Sequence, residues 1–309
     1  MAVPKKVWVF LAIGLAAASQ SGNIIRIGDA HPAAIAAWRL LMATALLAPL
    51  AGRDLKLLAR LTRKEAALLI LAGLTLAAHF FAWIAAVQLT TVANAAVFFA
   101  VNPVITATAG YLIFGERASG RLAISIAVGL LGVAVLGWND LSFSPEGLPG
   151  DAAALVCSVL FTAYFLLGKR LRRVLPTTAY VSAVYGVAAA FSFAALLAFG
   201  EPFVDYDGRT WLCFGLMALV PTVVGHTSFN NALKYVDAGR VSAYTLSEPL
   251  LAGLVAYLAW DEEITAGLLV GYALVSASVL ILVLEGDPPR SRRDEPEDAT
   301  IPDSKGDKL

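Results

Sequence analysis

Two stretches of the chain, FFAVNPVITATAGYLIFGE (Phe98–Glu116) and YTLSEPLLAGLVAYLAWDE (Tyr244–Glu262), align without a gap. An aromatic residue opens each. Asn102-Pro103 falls on Glu248-Pro249, Tyr111 on Tyr257 and Glu116 on Glu262. Upstream, His79 and His226 fall one residue out of the same step, which a single insertion in a short loop absorbs. Both stretches place a proline inside a long apolar run, next to a polar or acidic residue. In a soluble helix proline removes a backbone hydrogen bond and glutamate seeks the surface, so the pattern calls for a different solvent.

That solvent is lipid. The 309 residues are 59% hydrophobic and only 15% charged, against about 25% charge in soluble domains. A helix needs about 20 apolar residues to cross a bilayer. Ten such windows are predicted, at 7–26, 32–50, 66–88, 92–114, 120–138, 151–168, 177–199, 210–233, 240–260 and 264–284. The runs are too long and too continuously apolar for barrel strands, which alternate every second residue. The predicted class is an all-α polytopic membrane protein with ten transmembrane helices. The first window, preceded by Lys5 and Lys6, is read as a retained helix rather than a cleaved leader.

Basic residues report orientation, because short cytoplasmic loops are enriched in Lys and Arg. All of the 23 basic residues except Arg26, Arg39 and Arg209 fall at the N-terminus, in the loops after even-numbered crossings, or in the tail. The intervening loops are bare or acidic, as in EPFVDYDG (201–208). Both termini are therefore expected in the cytoplasm of a cell bounded by an inner membrane. A unit of five crossings is odd, so its second copy enters from the opposite face. The repeat is thus of inverted topology, with one five-helix copy over 1–139, the second over 148–285 and a solvated, disordered tail over 286–309. Inverted repeats with midplane sites are a common plan of secondary carriers.

Further motifs are similar to those of one family. Pro32 and Arg39 in HPAAIAAWRLLMA, the proline-to-Gly-Glu texture of Pro103…Gly115-Glu116 with its partial echo Pro249…Asp261-Glu262, and Gly22, Asn23 and Arg26 in SQSGNIIR resemble the EamA-like branch of the drug/metabolite transporter superfamily. Gln20 and Ser21 stand where that family usually carries an aromatic. The resemblance implies transport, often export, of amino acids or other small metabolites.

Only Arg39 and Glu248 are charged well inside the predicted spans, and an ionisable residue at such depth marks a pathway or a pairing. By helical rise, Glu248 lies on the order of 12 Å from one helix end and Arg39 about 10 Å from the opposite one, so the two are candidates to pair. Pro103 and Pro249 leave carbonyls bare, tolerated in a membrane only against protein or a wet cavity; with Arg39 and Glu248 they are the gating or coupling candidates. Polar and aromatic residues at helical spacing supply the substrate-binding candidates: His79 and Trp83, Phe98 and Asn102, Phe161 and Tyr164, His226 and Asn230, Tyr244 and Glu248. Each is equally a candidate for interhelical hydrogen bonding.

SIAVG (Ser125–Gly129) and GLLVG (Gly267–Gly271) are small-residue seams suited to close packing within the chain or to a homodimer through helices five and ten. No HExxH, GxxxxGK[ST] or CxxC occurs, so no catalytic residue, metal or cofactor is expected. The zero net charge argues against nucleic acid. The expected partners are a small-molecule substrate, the bilayer and a coupling proton. The reading is a metabolite carrier, most simply an amino-acid exporter. An intramembrane enzyme acting on a lipid-like substrate, using Glu248 with a histidine, and a channel are the rivals.

Overall fold

The computed structural model describes residues 3–90, 92–138, 145–260 and 266–285. These residues are helical throughout, with no strand among them. The first crossing comprises α1 (Lys5–Ala18) and α2 (Ser21–Ile25), and the second is α3 (Pro32–Ala51). The third is α4 (Arg63–Leu89), the fourth α5 (Val92–Phe99) with α6 (Asn102–Phe114), and the fifth α7 (Gly120–Gly137). The second half repeats the order with α8 (Leu148–Leu171), α9 (Thr177–Ala198), then α10 (Gly208–Met217) and α11 (Thr227–Ala232) joined by a π-helical segment (Ala218–His226). It closes with α12 (Ala238–Tyr244), a 3₁₀ turn (Thr245–Ser247), α13 (Glu248–Trp260) and α14 (Ala266–Glu285). Among the described residues, nine runs are long and apolar enough to cross a membrane. The run from Ala238 to Trp260, interrupted at Thr245–Ser247 and carrying Arg240 and Glu248, makes the tenth crossing.

Local chemistry sets the helix ends. Thr62 Oγ1 accepts from the Glu65 N–H at 3.2 Å while the Glu65 carboxylate accepts from the Thr62 N–H at 2.8 Å, a reciprocal box that satisfies two otherwise unpaired donors. Ser119 caps α7 through the Leu122 N–H at 3.0 Å. Asp207 caps α10 through the Thr210 N–H at 2.8 Å, and its hydrogen bonds with Thr210 hold its carboxyl below the usual range. That cap is complete at neutral pH and is lost as pH falls through the lowered value. At the end of α6, Gly115 takes φ +73°, a conformation that costs other residues. It turns the chain so that Glu116 points back under the bundle.

The packing is that of two equivalent halves. α4 packs on α8, and the mirror pair, α1 on the π segment and α11, recurs with the halves exchanged. α3 packs on α9 and α7 on α14, each joining equivalent crossings of the two halves. Glycine makes the last pair close. A Cβ on Gly132 would lie 2.9 Å from Val275 Cγ2 and 3.0 Å from Leu274 Cβ, and Ser125 Oγ donates to Ser278 O at 2.9 Å. The small-residue seams are thus occupied within one chain, and a homodimer through these helices would have to use their outward faces, around Ile124, Leu131, Leu269 and Val270. Gly132→Leu is expected to lower stability by about 1–3 kcal/mol through overpacking, read as a fall in melting temperature of the purified protein.

Two ends can be told apart. Glu116, Lys169, Arg172, Asp237 and Arg240 lie at the basic end; Thr90, Asp151, Glu201 and Asp205 lie at the acidic end. The matched tyrosines of the repeat, Tyr111 and Tyr257, are both exposed. Three features depart from the sequence reading. The first crossing breaks at Ser19-Gln20, the connection Gly52–Arg60 is a 3₁₀ helix, and the eighth crossing is π-wound around Pro221. Glu262 and the tail 286–309 lie outside the described residues.

Candidate functional site

Both proline-bearing crossings break where the repeat places Asn102 and Glu248. In the first half α5 stops at Phe99 and α6 restarts at Asn102. In the second, α12 passes through the Thr245–Ser247 turn before α13 restarts at Glu248. Ala100 and Leu246, one at each break, share an apolar cluster with Val133 and Val275, so the two breaks meet in the middle of the bundle.

Their chemistry is unequal. Asn102 is fully buried. Its amide donates to Ser158 O at 2.8 Å and Thr162 Oγ1 at 3.1 Å, and its carbonyl accepts from Thr106 and Ser242. It binds α6, α8 and α12 together and has no hydrogen-bonding capacity left to offer a solute. Glu248 is partly exposed and has no hydrogen-bond or ion-pair partner among the described residues. It starts α13, three residues before Leu251, whose carbonyl Gln20 of the first crossing reaches.

Cys157 leads into an aromatic cage. His79 Nδ1 lies 3.1 Å from the Cys157 sulfur and 3.2 Å from its carbonyl. The His79 ring sits 4.9 Å from Phe161, 6.1 Å from Phe99 and 6.0 Å from His226. Trp83 stands edge-on to Phe99 at 5.5 Å and donates its indole N–H to Ser21 Oγ at 3.3 Å. The broken first crossing completes the wall: Gln20 Nε2 donates to Leu251 O at 3.2 Å and Asn23 Nδ2 to Ala252 O at 3.1 Å. Trp83, Phe99, Gln20, Ser21 and Glu248 are all only partly buried, so this wall is reachable, unlike Asn102.

Phe98 is placed differently from its expected role. It packs with Trp83 against Ala86, Ala95 and Ala154, while the neighbouring Phe99 meets His79 and Phe161. The break at Ala100–Val101 changes the phase between Asn94 and Asn102, which a continuous step of four could not anticipate. Tyr164 and Asn230 bond each other at 2.5 Å, deeper than the cage floor. Tyr244 is buried against Trp8, with ring centroids 5.9 Å apart. Arg39 does not pair with Glu248. Its Nε donates to Thr222 Oγ1 at 2.9 Å and its guanidinium stacks 3.8 Å over Phe80.

The basic end of the bundle is closed by charge. Lys169 Nζ bridges Glu116, reached through the Gly115 turn, and Asp237 at 3.1 Å. Arg240 pairs with Glu285 at 2.6 Å, joining α12 to the end of α14. Arg172 donates to Asn230 O at 3.2 Å and to Thr177 Oγ1 at 2.6 Å. The acidic end is open instead: a groove of about 680 Å³ is lined by Asp29, His31, Pro32, Gln88, Glu201, Asp205 and Tyr206, among others. These pairs are invisible in sequence because their members come from loops far apart. The only signal was the matched Glu116 of the repeat.

Comparison with known proteins agrees with this architecture. The chain belongs to the EamA-like transporter family, which it matches twice, over residues 6–138 and 148–284. A protein of Archaeoglobus fulgidus named as an uncharacterized transporter is 30% identical over 64% of this chain and 70% of its own length. An aromatic amino acid exporter, YddG, of Ancylobacter novellus is 24% identical over 67% of this chain and 71% of its own. A crystal structure of 21% identity superposes with a TM-score of 0.76, covering 92% of this chain and 98% of that one, which establishes the fold alone. The protein is a multi-pass membrane transporter built on two inverted repeats.

Proposed function

We propose that this transporter exports a small amphiphilic solute, an aromatic or hydrophobic amino acid, across the inner membrane by alternating access. The observation that carries the reading is Glu248. It is an ionisable residue without a hydrogen-bond or ion-pair partner among the described residues, at a helix break in mid-membrane, near a cluster of His79, Trp83, Phe99 and Phe161. A side-chain pocket of rings with a few fixed polar groups suits an aromatic amino acid, and the named function of the Ancylobacter relative supports the same class. Loops rich in Lys and Arg favour the cytoplasm, so the basic end, with the first helix start, is assigned there. The ion pairs then close the cytoplasmic side while the groove opens outward. An enzymatic reading would have to rest on the Cys157–His79 contact at 3.1 Å rather than on Glu248, which has no hydrogen-bonded histidine among the described residues.

Reconstituted flux tests this. Purified protein in liposomes, given a panel of radiolabelled amino acids with and without a pH gradient, is expected to move phenylalanine, tryptophan or leucine with saturation and counterflow. Uptake that never saturates would indicate a channel. No flux of any amino acid, with modification of an added lipid, would replace the carrier reading with an enzymatic one.

A further inference from the structure

Arg39 holds a cation at a depth where cations are costly, and the structure leaves half of its donors unused. It is 1% exposed, and both terminal nitrogens lack a hydrogen-bond partner. An unpaired buried charge costs several kcal/mol, yet everything around this one fixes its position. Thr222 holds Nε and in turn donates to Met217 O at 2.8 Å. Phe80 covers one face of the guanidinium. Tyr185 flanks the same turn, 3.4 Å from Thr222 O and 3.3 Å from Thr227 Oγ1.

The turn itself is abnormal. Residues Ala218–His226 are wound as a π-helix, a form that recurs at functional sites because it is otherwise unfavourable. Here it presents Thr222 to Arg39 and carries His226, whose Nδ1 is likewise buried and unpartnered; the His226 ring packs 4.8 Å from Phe80. A guanidinium fixed at Nε, stacked on a ring and free at both terminal nitrogens offers the planar two-donor fork that matches a carboxylate. Glu116 and Asp237 are engaged by Lys169, Glu285 by Arg240 and Asp151 by Thr90 and Asn94, and Glu248 is not paired with Arg39.

Pro32 lines the groove at the acidic end, and Arg39 is seven residues, two turns and about 10 Å further along the same face of α3. The residues between, Ala33–Ala37, are buried, so a solute reaches Arg39 only when the bundle opens along α3. The groove mouth carries Asp29, Glu201 and Asp205. A bare anion is repelled there, while a zwitterion is not, because its ammonium meets the acidic groups.

We infer that Arg39, positioned by Thr222 and Phe80, is the carboxylate-binding group for a zwitterionic amino acid. The inference rests on the amino-acid reading above. The test is binding of phenylalanine and of phenylalaninamide, which lacks the carboxylate, to full-length protein in nanodiscs. Wild type is expected to bind the acid at least tenfold more tightly than the amide, and Arg39→Gln to erase that difference by weakening only the acid. Equal affinity of wild type for acid and amide, or unchanged acid affinity in Arg39→Gln, overturns the inference. If Arg39→Gln fails to fold, Arg39→Lys, which keeps the charge and loses the fork, should show the same loss, and the acid–amide comparison on wild type stands alone. If wild type binds neither compound, the amino-acid reading fails separately, and acetate decides the site. Acetate raising the melting temperature of wild type but not of Arg39→Lys supports a carboxylate site, and no such difference overturns it.

Discussion

Glu248→Gln is expected to lower solute flux in liposomes at least tenfold, while the variant accumulates and melts much as wild type does. The stability half follows from geometry: the carboxylate has no partner among the described residues and is partly exposed, so a neutral amide of the same shape orphans nothing. The functional half follows from position. The charge heads α13 beside the cage, and a tenfold loss corresponds to about 1.4 kcal/mol of barrier, within the range that one ionisable group in a low-dielectric site can supply. Flux that is unchanged at every pH tested would remove Glu248 from the mechanism. A proton-coupled carrier would show the loss chiefly under a pH gradient, a facilitator equally without one.

Lys169→Met should give the largest loss of stability. Lys169 and Glu116 are both buried, at 8% and 7% exposure, and Asp237 shares the ammonium. Removing the cation takes from buried Glu116 and from Asp237 the ammonium they share, and breaking a buried ion pair costs about 3–5 kcal/mol. The melting temperature should fall sharply, and the double change Glu116→Gln with Lys169→Met should recover much of it, because neither charge then remains alone. The same pair of variants reports on gating. If the Glu116–Lys169–Asp237 bridge is the closed cytoplasmic latch, the recovered double variant should label more readily than wild type at a cysteine placed near the basic end of α8. Equal labelling would reduce the bridge to a structural brace.

The fold was legible because lipid imposes a coarse grammar. Apolar runs of fixed length, loops segregated by charge and a matched pair of proline-bearing stretches were enough to derive ten crossings in inverted halves. The His79 and His226 correspondence also held in space: the two rings lie 6.0 Å apart. What failed was anything that depends on helix phase across a break. Phe98 and Asn102 share a face only along unbroken helical spacing; the turn at Ala100–Val101 resets the register, and Phe99 meets His79. Asn102 and Glu248 occupy equivalent places, and nothing in the residue types says which one is fully hydrogen-bonded. That depends on Ser158, Thr162 and Ser242, contributed by two other crossings. Similar depth makes Arg39 and Glu248 candidates to pair and no more. Depth fixes position along the membrane normal and leaves the direction within its plane undetermined, and Thr222 on the π segment holds the guanidinium elsewhere. Gln20, Ser21 and Asn23 were noticed, yet their part in the wall emerges only once the first crossing breaks and turns them toward Trp83 and α13.

The central claim is that water and solute reach the second-repeat break in the middle of the membrane. Accessibility of Glu248→Cys, in a chain with the buried Cys157 and Cys213 replaced by alanine, tests it most directly. A charged, membrane-impermeant thiosulfonate should modify that position from the aqueous phase, and the transported solute should slow the reaction. Failure of the charged reagent to react from either side, in protein that labels fully once denatured, would contradict it.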